Sequence, residues 1–136
     1  MKLYIKRLKQ GMDLRKELQA MVDSESIKAG FLVACVGSLS RAVLRMAGAE
    51  PENEQLKSIE EKLEIVSAQG TLSQDGIHIH LSVSDRNGSV FGGHLKEGCL
   101  VETTAELVIG ESENHTLHRR MDEKTGFKEL EVEEKQ

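Results

Sequence analysis

Between Gly76 and Leu95 the chain reads GIHIHLSVSDRNGSVFGGHL, and its alternation constrains the fold more than any other stretch. Ile77, Ile79, Leu81 and Val83 fall on one side of a period of two. His78, His80 and Ser82 fall on the other. Residues two apart in a strand share a face, so the pattern predicts a half-buried strand with histidines on its outer side. The strand must then turn back. Asp85-Arg86-Asn87-Gly88 is hairpin chemistry, and two loop lengths compete. A two-residue Asn87-Gly88 loop would pair Leu81 with His94. A three-residue loop, Arg86-Asn87-Gly88, uses Gly88 where a positive φ is needed, sets Ser89 against Asp85 and places His94 opposite His80. Opposed residues have Cβ atoms about 4.5–5.5 Å apart. The three-residue loop therefore brings His78, His80 and His94 within reach of one ion.

Length and charge narrow the rest. A chain of 136 residues is read as one domain, 1–136, with about 123–136 as a partly docked tail. The net charge of −5 and an aromatic content of 3% argue against a general nucleic-acid surface. Such surfaces carry basic patches and stacking platforms, and here only Lys2, Lys6, Arg7 and Lys9 cluster. Cys35 and Cys99 lie in apolar runs without a CxxC spacing and read as reduced, buried thiols. No apolar signal core or run of membrane-spanning length occurs, so a cytoplasmic location is expected.

Residues 2–8 read as a first strand, broken at Gly11. Asp13 caps a helix whose Leu14, Leu18, Met21 and Val22 form one apolar stripe, with Arg15, Lys16, Glu17 and Asp23 on the wet side. Phe31–Val36 is a continuous apolar run, expected as a buried strand that bends at Gly37–Ser40 before a partner strand. Residues 47–62, with Pro51 and a series of glutamates, are expected as a mobile surface loop. Strands follow at 63–67, 70–72, 100–109 and 115–121, with Glu102 and Glu106 on one face of the long one. One helix and seven or eight strands without a βαβ rhythm predict an α+β domain with a mainly antiparallel sheet.

Several short motifs occur in a fixed order: Val36-Gly37-Ser38-Leu39, Gly70-Thr71-Leu72, His78-Ile79-His80-Leu81-Ser82, Gly92-Gly93-His94-Leu95, Thr104-Ala105-Glu106 and Thr125-Gly126-Phe127. In this the chain resembles the PPC (plants and prokaryotes conserved) domain over most of its length. The resemblance implies a sheet with a packed helix, a homotrimer and contacts to other proteins. Relatives in plants carry an Arg-Gly-Arg-Pro hook that contacts DNA. None occurs here, and direct DNA binding is not expected despite the name "DNA-binding" given to some stand-alone members. Some prokaryotic members hold a metal through HxH and GGH histidines, which correspond to His78, His80 and His94.

Three neutral imidazoles suit zinc, the expected cofactor. The leading functional expectation is a metal-binding, non-enzymatic binding or regulatory module. A metal-assisted, hydrolase-type enzyme is the alternative, with Glu102 or Glu106 as candidate general base; no HExxH or Ser-His-Asp pattern supports it. A DNA-associated regulator acting through partners is the third. His115 and His118 read as solvated surface residues.

Overall fold

A computed structural model describes residues 1–136. The chain order is β1 (Lys2–Lys9), α1 (Leu14–Ser24), β2 (Gly30–Arg45), β3 (Leu56–Ile59), β4 (Leu63–Ser73), β5 (Gly76–Ser84), β6 (Val90–Leu95), β7 (Leu100–Glu111), β8 (His115–Met121) and β9 (Lys128–Glu134). Seven strands form one sheet in the order β1-β7-β2-β4-β5-β6, with β3 added to β2, and β8 and β9 form a separate ribbon. Every pairing is antiparallel. The expected α+β class is what the structure has.

Strand β2 is the spine. Its 16 residues pair with β7 and β4 along the first part and with β3 and β6 at the end. Because β6 returns to β2 through Leu44↔Leu95 and Arg45↔His94, the strands β2, β4, β5 and β6 close on one another. This places Arg45, His94, His80 and Gln69 in one row across the sheet.

Helix α1 starts as its sequence dictates. Asp13 Oδ1 accepts from Lys16 N at 3.1 Å, while Asp13 Oδ2 accepts from Gly98 N at 2.7 Å and ties the cap to the β6–β7 turn. Leu14, Leu18, Met21 and Val22 are buried and join Leu8, Ile79, Leu81 and Leu107 in one continuous core.

Four expectations need correction. The Phe31–Val36 run is buried on one face only. Across β7, Leu3 and Phe31 flank Gly110, Ile5 and Ala34 flank Val108, and Arg7 and Val36 flank Glu106. This outer face leaves Ile5 74% and Val36 55% exposed, while Leu32 and Tyr4 turn inward. The bend at Gly37–Ser40 is absent: β2 runs through it, and register shifts between Gly37 and Leu39 and between Leu39 and Arg41 absorb the irregularity. Residues 47–62 are not wholly a loop, since β3 pairs Leu56–Ile59 with Ala42–Arg45. The C-terminal segment, expected as a partly docked tail, forms the regular strand β9, in register with β8 from Met121↔Lys128 to His115↔Glu134. The departures in β2 depend on its partner β7, far away in sequence, which local patterning does not report, whereas β9 pairs with its neighbour β8 despite a run of charged residues.

Candidate metal centre

The histidine hairpin closes through three loop residues. Asp85 N donates to Ser89 O and Gly88 N donates to Asp85 O, both at 3.0 Å. Asp85 Oδ1 accepts from Asn87 N at 2.9 Å and from Ser89 N at 3.0 Å, and Gly88 takes φ +79°. Ser84 consequently faces Val90, and His80 faces His94. Ile77, Ile79, Leu81 and Val83 are buried in the core, and His78 and His80 project from the opposite face.

The three rings converge. Ring centroids lie 5.1 Å apart for His78 and His80, 4.9 Å for His78 and His94, and 5.9 Å for His80 and His94. One nitrogen from each ring can be chosen so that all lie within 4.8 Å of one another. Around a tetrahedral zinc, with Zn–N of about 2.0–2.1 Å, ligand nitrogens stand about 3.3 Å apart. The set fits an ion after a modest inward turn of the rings. Its electrostatics suit lone-pair donation as well. Burial pushes the His94 imidazole down to about 3, helped by the charges of Arg45, His78 and His80. Burial also lowers His78, with Arg119 and His80 adding to the effect. Metal ligation requires the neutral ring, and these surroundings favour it.

Arg45 touches the trio directly, its Nη2 3.2 Å from His94 Nδ1. A guanidinium only donates, so His94 Nδ1 is the acceptor here and the proton sits on Nε2. A neutral imidazole has one lone pair. Giving it to an ion ends the Arg45 contact, whichever nitrogen ligates.

The family model of the Plants and Prokaryotes Conserved (PCC) domain matches residues 1–113, which include all three histidines. The chain belongs to the PCC family. Similar proteins include the bifunctional protein GlmU of two Synechococcus strains, 41% and 42% identical over 133 residues. The match covers 98% of this PCC chain but 20% and 21% of those relatives, so the chain spans about a fifth of their length. A hypothetical protein of Salmonella cholerae-suis is 37% identical with a TM-score of 0.92, over 99% of this chain and 95% of that one. A metal-containing protein of Archaeoglobus fulgidus is 28% identical with a TM-score of 0.79, over 94% and 91% of the two chains.

The PCC fold keeps other sequence candidates away from the histidines. Glu102 lies 4.0 Å from Lys62, and Glu106 sits on the outer face between Arg7 and Val36. Both belong to β7, which β2 separates from β6 and β2 and β4 separate from β5, and neither joins the convergent group of His78, His80 and His94. His115 and His118 also stand outside the trio, but they are not simply solvated. His115 Nδ1 is 2.6 Å from Ser112 Oγ, and His118 lies between Asp75 Oδ2 at 3.4 Å and Glu133 Oε2 at 3.1 Å.

What the sequence reading missed is the surroundings. A cavity of about 290 Å³ opens beside His78 and His94, walled by Arg15 of α1, Arg45 of β2, Asp75 of the β4–β5 turn, and Arg119, Phe127 and Glu129 of the C-terminal ribbon region. A second hollow of about 340 Å³ reaches His80 and His94 from the side of residues 46–49. Arg15 reads as an ordinary wet-face helix residue. Only the topology gathers these groups.

Proposed function

We propose that this chain is a homotrimeric metal-binding module that takes zinc through His78, His80 and His94 and acts as a binding or regulatory domain. The observation that carries the reading is the convergence of the three side chains within 4.8 Å on rigid strands. The neutral state favoured at His78 and His94 supports it, as does the metal-containing Archaeoglobus relative. Three imidazoles leave a fourth position for water or another ligand. The trimer is supported by the outer face of β1 and β2, where Leu3, Ile5, Phe31 and Val36 are exposed. Apolar faces of this kind are characteristic of association surfaces.

Elemental analysis and light scattering on the same untagged, as-purified protein test both parts. About one zinc per chain is the expected content. No metal, even after zinc is supplied, returns the histidines to a structural role. A monomer at micromolar concentration rejects the assembly.

A second reading, a zinc-dependent enzyme, is favoured by one observation. The cavities flanking the histidines leave room for a substrate beside an open coordination position. Hydrolysis of model esters by zinc-loaded but not chelator-treated protein would support it.

A further inference from the structure

The cavity beside His78 and His94 has an unusual charge balance for a chain of net charge −5. Arg15, Arg45, Arg119 and Lys128 line it against Asp75 and Glu129 alone. Each of those two carboxylates also has a hydrogen-bond partner of its own. Asp75 Oδ2 accepts from the Arg119 backbone N at 3.1 Å and lies near His118, and Glu129 Oε1 accepts from Thr125 Oγ1 at 3.3 Å. Arg15, Arg45 and Arg119 take part in none of the salt bridges of the chain.

None of the three guanidiniums is in direct contact with a carboxylate, although Glu129 lies near enough to Arg119 to attract it. Arg119 Nη2 donates to Thr71 Oγ1 at 2.6 Å, on the strand neighbouring His78. Arg45 stacks over the Phe127 ring at 5.1 Å and touches His94. Arg15 Nη1 is shut away from solvent and has no hydrogen-bond partner. Buried donors are normally satisfied, and unpaired guanidinium groups facing one hollow match the planar oxygens of a carboxylate or phosphate. A hollow of this size admits only a small molecule.

We propose that this cavity binds a small organic anion bearing a carboxylate or phosphate group, clamped by Arg15, Arg45 and Arg119. The inference rests on the metal reading only in setting that anion next to the ion. The arginines exist without it.

The test is calorimetric titration of succinate and of inorganic phosphate at constant ionic strength, into chelator-treated and zinc-loaded protein, with zinc content measured on the same samples. Saturable binding of at least one anion is expected, weakened about tenfold or more by Arg119→Gln and by Arg15→Gln. Arg120→Gln should leave it unchanged, because Arg120 pairs with Glu131 at 3.0 Å and does not line the cavity. Arg15 Nη1 bonds to nothing in the fold, so Arg15→Gln remains informative if Arg119→Gln fails to fold. Succinate alone binding identifies a carboxylate ligand, and phosphate alone identifies a phosphoryl ligand. Absence of saturable binding to both, or binding that the arginine substitutions do not alter, overturns the proposal. Arginine-dependent binding by protein that takes up no zinc would keep this inference and remove the metal reading. Zinc uptake with arginine-independent binding would do the reverse.

Discussion

Gly70 lies against the His78 carbonyl, its register partner across the β4–β5 ladder being Ile79: a Cβ on Gly70 would run into the His78 carbonyl oxygen and come within 2.7 Å of Ile79 Cα. The close approach of the two strands depends on that missing side chain. Gly70→Ala should push β4 away from β5, lowering stability by about 1–3 kcal/mol. Urea denaturation will show this as a lower midpoint with an unchanged slope. A variant as stable as the parent would mean that the strands part without cost.

His78→Ala and His94→Ala should each remove most of the bound metal, and His115→Ala almost none. His115 is hydrogen-bonded to Ser112 and does not belong to the convergent trio. Metal content after dialysis against equimolar zinc reads the difference. Equal loss in all three variants would reject the assigned ligands.

The outer face of β1 and β2 gives a separate prediction. Ile5→Asp and Val36→Asp place charges where the structure leaves apolar side chains open to solvent. Neither touches the core, so the fold should survive. Light scattering should show the mass of an assembly falling to that of one chain. An unchanged mass would place the association surface elsewhere.

The cysteines should resist alkylation. Burial pushes the Cys35 thiol up to about 12 and also raises Cys99. At pH 8 a thiol of that kind is thiolate in only about one molecule in ten thousand. Iodoacetamide should label both residues slowly in the folded protein and quickly in denaturant, as mass spectrometry would resolve. Rapid labelling of Cys35 under native conditions would show that β2 opens.

The histidine hairpin was legible because its determinants are local. A period of two, a loop ending at Gly88 and the count of residues back to His94 settle the register without reference to the rest of the chain. The stripe of α1 and its Asp13 cap were legible for the same reason. The role of β2 was not, since nothing between Gly30 and Arg45 announces that one strand pairs with β7, β4, β3 and β6. The apolar run Phe31–Val36 reads as a buried strand because periodicity cannot distinguish a core face from a face left open. The cavity was the least legible feature. Arg15, Arg45, Arg119 and Glu129 belong to segments that meet only after the sheet has closed and the ribbon has docked.

The C-terminal ribbon lies outside the part of the chain matched by the family model, which ends at residue 113. The three histidines fall within the matched part, whereas Arg119, Phe127 and Glu129 come after it. The cavity is thus built from both stretches, with Arg15, Arg45 and Asp75 inside the matched part and one wall supplied by the ribbon. Changing the ribbon's side chains would therefore reshape that one wall while leaving the histidine hairpin untouched.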